Sequence, residues 1–363
     1  MNSCKIKGRA LLFGLNYDHC KSGKLNGCIN DVMQVSNYIS SKLHIPTETY
    51  TDDTDLHSTS YDGIIQRLYD LAILSYVENL EFVWIHYSGH GSYQKDTSGD
   101  EKDGFDEGLV PSDYEKKGIL IDDVINRVIS VFNPRTNILF ICDSCHSGTI
   151  LDLKFSWGKN KKISVENSKC KIKSKTILIS GCMDNQTSAD AWNLLGDYKH
   201  VGALTASILN VLKKNPQQLN DVFSFVNSIR TELKKGGFDQ YPCLSTNYNI
   251  DNNPIMIPMG LQTDINIKNQ ECDKIYEARD DSINTTVLPK IIEGLQEDTE
   301  FSESSQRKNV PAPKKIEGIQ YPNSPYIYYN VHIPNKMEPL QYYYVPNAYY
   351  MSYQYRPVYV PQI

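Results

Sequence analysis

A thiol and an imidazole, each flanked by small residues and each following an apolar run, are the side chains of this 363-residue chain best equipped for chemistry. Phe82 to Tyr87 reads as a buried strand leading into Ser88-Gly89-His90-Gly91. Asn137 to Cys142 reads as a second, leading into Asp143-Ser144-Cys145-His146-Ser147-Gly148. In an open parallel sheet the C-terminal strand ends line one crevice, so the two runs would bring His90 and Cys145 together. A free thiol, with a pKa of about 8.5, is mostly protonated near neutrality. A neighbouring imidazole can take that proton and later return it to a leaving amine, which suits nucleophilic catalysis. His146 is the rival base. Adjacent side chains on an extended segment face opposite ways, so its expected role is structural. Cys142 and Cys145 also spell CxxC, but no second pair for zinc is visible, and no helix start follows at once as a redox pair would need.

The flanking motifs extend the picture. Leu25-Asn26-Gly27-Cys28-Ile29-Asn30-Asp31, Tyr87-Ser88-Gly89-His90-Gly91, Asp143-Ser144-Cys145-His146-Ser147-Gly148 and Ser180-Gly181-Cys182 occur in that order. Gln186-Thr187-Ser188-Ala189-Asp190, Gly202-Ala203-Leu204-Thr205 and Gln240-Tyr241-Pro242 follow. Together they resemble the metacaspases, the caspase-like cysteine peptidases of organisms outside the animals, and in particular the type I form. The 55-residue interval from His90 to Cys145 matches the upstream-His spacing of caspase-type peptidases. The resemblance implies a caspase-like α/β sandwich with Cys145 as nucleophile and His90 as general base. Backbone N–H groups of Cys145 and of Gly91 or Gly89 would bind the oxyanion, because donors must already point where charge develops.

Charge carries the specificity argument. Cys28 and Asp31, three residues apart at a helix start, share a face. Asp143, two residues before the thiol on a strand, points to the thiol's side. Asp31 and Asp143, with Cys28 and Ser88 beside them by the family motif, form an acidic pocket for a substrate Arg or Lys. The competing reading of Asp31 is a first-turn carboxylate favoured by the helix dipole. The resemblance further implies a Ca²⁺ site at Asp106, Asp122, Asp123 and Asp152, whose hard oxygens suit that ion. The resulting expectation is a calcium-dependent endopeptidase acting on proteins or peptides with Arg or Lys at P1. The alternative is a catalytically silent caspase-like binding protein.

Alternating strand and helix patterns over residues 9 to about 250 must position these groups. Arg9 to Leu15, Thr47 to Thr51, Phe82 to Tyr87, Asn137 to Cys142, Thr176 to Ser180 and Cys243 to Asn247 read as strands. Helical stripes cover Ile29 to Leu43 (with Asn26 as cap), Tyr61 to Val77, Ile121 to Phe132, Ala203 to Leu212 and Val222 to Leu233. Such alternation predicts a mostly parallel sheet with helices on both faces. Lys95 to Gly108 reads as a loop. Lys154 to Lys175, with eight lysines, reads as a solvated loop and a candidate self-cleavage site.

Residues 1–260 are thus expected to form the peptidase domain, and 261–363 an appended disordered tail. From Tyr321 onward there are 12 tyrosines, repeated prolines and only three charged residues, Lys336, Glu338 and Arg356. That composition predicts polyproline-II-like chain, with docking into a partner's aromatic groove as the sharper alternative. A formal charge of −6 and a pI near 5.8 argue against nucleic acid. The run Ala10 to Leu15 is too short to span a membrane and lacks a cleavage signature. Nine scattered cysteines suggest free thiols. The expectation is a soluble, cytoplasmic monomer.

Overall fold

The computed structural model describes residues 7–95, 104–145, 147–157, 163–181, 190–192, 200–250, 319–320 and 327–328. The chain runs β1 (Gly8–Gly14), α1 (Cys28–Tyr38) with a π turn at Ile39–Leu43, β2 (Thr47–Thr51), α2 (Tyr61–Val77) and β3 (Phe82–Ser88). It continues through β4 (Gly91–Lys95), β5 (Phe105–Leu109), α3 (Tyr114–Lys117), β6 (Leu120–Ile121), α4 (Asp122–Ser130) and β7 (Asn137–Asp143). Then come β8 (Phe155–Trp157), β9 (Ile163–Val165), β10 (Lys175–Ser180), β11 (Asp190–Trp192), β12 (His200–Gly202), α5 (Ala203–Lys214), α6 (Val222–Lys235) and β13 (Cys243–Thr246). Two compact units, 1–277 and 278–363, divide the chain.

The main sheet has the strand order β2-β1-β3-β7-β10-β13-β8-β9. Its first five strands are parallel, and β13, β8 and β9 join antiparallel. Continuous apolar runs mark strands covered on both faces. Ala10 and Leu12 of β1, Phe82 and Trp84 of β3, and Leu139 and Ile141 of β7 pack with α1, α5 and α6. The alternate residues Leu11, Phe13, Val83, Ile85, Ile138 and Phe140 pack with α2 and α4. No described helix is long and apolar enough to cross a membrane.

Three expectations need correction. The segment after His90 is not a plain loop: β4, β5 and β6 form a separate antiparallel sheet, and only residues 96–103 fall outside the described set. The lysine-rich segment holds β8 and β9, with Trp157 buried and its indole N–H donating to Thr246 Oγ1 at 2.8 Å. Of its five described lysines, Lys169, Lys171, Lys173 and Lys175 are exposed and Lys154 is half-buried, in keeping with the solvated part of that reading. Asn26 does not cap α1. Asn16 Oδ1, from beyond the end of β1, accepts the N–H groups of Cys28 at 3.0 Å and Ile29 at 3.4 Å. Of the tail, only the paired two-residue strands β14 (Ile319–Gln320) and β15 (Ile327–Tyr328) are described, a pairing its prolines did not suggest. The rest of 261–363 lies outside the described residues, as do His146, Cys182 and residues 186–189.

Candidate active site

Strands β3 and β7 are hydrogen-bonded neighbours in register, with Ser88 opposite Asp143. The segments leaving them therefore start side by side, and both His90 and Cys145 remain half-buried there. The approach is close enough that a Cβ on Gly91 would collide with the Cys145 carbonyl and lie 2.9 Å from Ser144 Oγ. Here glycine is a steric requirement. The imidazole Nε2 of His90 lies 2.6 Å from the carbonyl oxygen of Gly23. A carbonyl only accepts, so Nε2 carries the hydrogen and Nδ1 is left as the basic nitrogen of the neutral ring.

The neighbouring thiol differs in kind. Cys142 follows the alternation of β7 into the core beneath α2 and α4, its sulfur 3.1 Å from Ser144 Oγ. Burial pushes its pKa up to about 12. Cys142 is thus sealed in the core, whereas Cys145 lies half-buried beyond the end of β7, and no disulfide joins the six described cysteines.

Gly89 and Gly91 are not equivalent as donors. The Gly89 N–H is turned toward the Asp143 carbonyl at 3.4 Å. Val110 N–H donates to His90 O, and Gly91 stands opposite Leu109 one step further along β4 and β5. Antiparallel alternation then directs the Gly91 N–H away from β5.

Asp31, Ser88 and Asp143 do come together. Asp31, 1% exposed, accepts the Ser88 hydroxyl through Oδ2 at 2.5 Å and the Gly202 N–H through Oδ1 at 2.8 Å. Asp143, 4% exposed, accepts both the N–H (2.9 Å) and the hydroxyl (2.8 Å) of Thr205 through Oδ2. A Cβ at Gly202 would run into the Asp143 carboxylate and lie 2.9 Å from Asp31 Oδ2, so both acids crowd one point. Cys28, also buried, begins the first turn of α1 that carries Asp31. Helix α5 has no side-chain cap of its own at Gly202, and Asp143 supplies the missing acceptor across the sheet. Each acid therefore has an anchored oxygen and a structural duty besides any ligand.

Behind this pair lies a group that no motif revealed. His86, fully buried on the same face of β3 as Trp84, places Nε2 3.2 Å from Thr205 Oγ1. Thr205 spends its one hydroxyl hydrogen on Asp143, so His86 Nε2 donates and Nδ1 is left buried without a partner. Burial depresses its pKa from 6.5 to about 3. The unfolded chain therefore binds a proton below pH about 6.5 that the folded chain refuses. Stability should be complete above that pH and fall by up to about 1.4 kcal/mol per unit as pH drops toward 3. His86→Leu should flatten this slope in urea unfolding followed at several pH values. An unchanged slope would assign the loss to other groups.

The four aspartates of the expected cation site surround the junction of β5, α4 and the chain after β7. Asp106 (3% exposed), Asp122 (1%) and Asp152 (8%) are buried, as is Glu107. Asp122 Oδ2 accepts the Glu107 N–H and Oδ1 the Asp123 N–H, both at 2.9 Å. Asn126, one turn further along α4, donates to the carbonyls of Leu151 (2.6 Å) and Asp152 (3.4 Å). Asp152 has a left-handed backbone, φ +44°. The donors are hard and share one region, which fits Ca²⁺ by chemistry. Among the described residues, however, no three of His, Cys, Asp or Glu converge closely enough to hold an ion.

A sheet that delivers an imidazole and a thiol at adjoining strand ends defines a cysteine-type peptidase architecture, and the comparisons specify it. Residues 8–154 match the metacaspase, peptidase C14 domain. Metacaspase-1B of Neurospora crassa is 30% identical over 308 residues, covering 70% of this chain and 70% of its own. Metacaspase-1 of Candida glabrata is 30% identical over 298 residues, covering 68% and 74%. A Geobacter sulfurreducens structure aligns at 27% identity with a TM-score of 0.48, covering 67% of this chain and 94% of its own. Caspase-1 of Spodoptera frugiperda aligns at 10% identity with a TM-score of 0.38, covering 66% and 86%. The chain belongs to the metacaspases, cysteine-type endopeptidases with a caspase-like α/β fold.

Proposed function

We propose that this metacaspase is a calcium-dependent endopeptidase cutting after Arg or Lys. The observation that carries the reading is the pair of buried carboxylates, Asp31 and Asp143, beside the strand ends bearing His90 and Cys145. Two carboxylates held beside one another away from water repel when both are ionised. A substrate guanidinium or ammonium relieves that repulsion, whereas an acidic P1 side chain would worsen it. In the reaction, Cys145 gives its proton to His90 Nδ1 and the sulfur adds to the scissile carbonyl carbon. The Cys145 and Gly91 N–H groups hold the oxyanion, the role for which Gly91 is the better placed of the two glycines. His90 then protonates the leaving amine as the C–N bond breaks, and water hydrolyses the thioester with His90 again taking the proton. A peptide panel tests the specificity: higher kcat/KM for Arg and Lys at P1 is expected, and a preference for Asp would overturn it.

Ca²⁺, if held by Asp106, Asp122, Asp123 and Asp152, would offset repulsion among these carboxylates and tie β5 and α4 to the chain after Cys145. Its role there would be to order these segments, with bond cleavage left to Cys145 and His90. The double variant Asp122→Ala, Asp123→Ala should lose most activity and the calcium-induced rise in melting temperature, while Cys145 still alkylates. Full turnover in excess chelator would count against it. The same incubation reports self-cleavage, for which two fragments dividing between Lys154 and Lys175, outside β8, are expected. The described cysteines, none of them in a disulfide, suit a reducing, cytoplasmic setting, which cell fractionation checks.

A further inference from the structure

Tyr17 lies wholly buried against the imidazole of His90, with ring centroids 4.9 Å apart and planes tilted by 34°. Its hydroxyl accepts the backbone N–H of His90 at 2.9 Å and donates to the Val110 carbonyl at 2.7 Å. The Tyr87 hydroxyl, 3.0 Å from that of Tyr17, reaches the His90 carbonyl, also at 3.0 Å. Two buried tyrosines thus grip His90 at both ends of its backbone, and one of them also backs its ring. A Cβ on Gly89 would come within 2.8 Å of one hydroxyl and 2.7 Å of the other, which explains the glycine.

Holding Tyr17 there requires a left-handed backbone, φ +58°. Bulky residues keep that conformation only where the surroundings over-determine it, and such positions cluster at functional sites. Here Asp52, just past β2, accepts the N–H groups of Tyr17 at 2.6 Å and Asn16 at 2.9 Å. The Tyr17 carbonyl accepts from Cys20 at 2.9 Å, and the Asn16 carbonyl closes the loop by accepting from Leu25 at 2.8 Å. The same loop carries Gly23, the acceptor for His90 Nε2. A single pinned strap therefore supplies both the ring's backstop and its hydrogen-bond acceptor.

We infer that Tyr17 is a positioning residue for the peptidase reaction, fixing the backbone and ring plane of His90 so that Nδ1 stays aimed toward the thiol side. The inference rests on His90 acting as the base. The test uses the full chain carrying Tyr17→Leu, Tyr17→Phe or His90→Ala, with Tyr38→Leu, a buried tyrosine of the other core layer, as a stability control. Peptide kcat and KM are measured together with the rate of Cys145 alkylation by iodoacetamide across the imidazole and thiol titration range.

Tyr17→Leu should lose about 100-fold in kcat with KM little changed, since a small misplacement of a catalytic group has that effect. Its alkylation curve should move toward that of an ordinary thiol. Tyr17→Phe, which keeps the ring, should recover about tenfold of the loss. A wild-type kcat and curve in Tyr17→Leu would overturn the inference. So would equal kcat losses in Tyr17→Leu and Tyr38→Leu with neither curve moved, the mark of a purely structural role. Should Tyr17→Leu not fold, Tyr17→Phe decides by whether its curve shifts. If His90→Ala leaves the curve in place, the assignment of the base falls, whatever the Tyr17 variants show.

Discussion

Cys145→Ala is expected to abolish peptide cleavage, and His90→Ala to slow it by about 10²–10⁴-fold. The difference follows from the roles proposed for them. Without the sulfur there is no acyl intermediate, whereas without the imidazole a small thiolate fraction still reacts. The fold allows a clean comparison. Cys145 is half-buried beyond the end of β7, so truncating it opens no core cavity. Cys142→Ala provides the converse, because its sulfur is wholly buried beneath α2 and α4. It should cost stability, on the order of 1 kcal/mol, and leave turnover per folded molecule intact. The check is kcat/KM for a basic-P1 peptide with calcium, alongside urea unfolding. Turnover by Cys145→Ala above buffer background would sink the nucleophile assignment.

The sheet core was readable because two-sided burial leaves uninterrupted apolar runs, as in β1, β3, β7 and β10. Pairing of Ser88 with Asp143 then follows from placing two such strands side by side. Elements whose side chains face water had no such signal. Strand β9 is exposed throughout and β4 mostly so, while β5 is buried but carries Asp106 and Glu107 in place of an apolar run, so backbone pairing rather than composition makes them strands. The helix caps at the site were hidden for a related reason. The acceptors for α1 and α5 are Asn16 and Asp143, from strand ends far off in sequence, and local capping rules look only next door. His86 and His90 lie four residues apart, yet one is a sealed core group and the other faces the crevice. Only the position at which β3 ends separates them.

Asp31→Asn and Asp143→Asn should each lower affinity for Arg and Lys substrates by roughly 2–5 kcal/mol, the penalty for leaving a desolvated substrate cation short of a counter-charge. That corresponds to about 30-fold at the low end and several thousand-fold at the high end. Asparagine is the informative replacement because the anchors constrain it. At position 31 the amide oxygen can still accept from Gly202, and the amide nitrogen can donate to Ser88 once that hydroxyl turns. At position 143 the oxygen can keep both bonds from Thr205, preserving the N-terminal acceptor of α5. Shape and most hydrogen bonding thus survive while the charge goes. At position 143 alanine would also strip the cap from α5 and leave the Thr205 hydroxyl without its acceptor, mixing a folding defect of about 1–3 kcal/mol with the binding loss. The measurements are kcat/KM on Arg, Lys and uncharged P1 peptides, with a melting curve for each variant. Arg and Lys peptides should lose most and the uncharged peptide least, with thermal stability nearly unchanged. An equal loss on all three peptides would mean that the two carboxylates serve only to tie α1, α5 and the strand ends together.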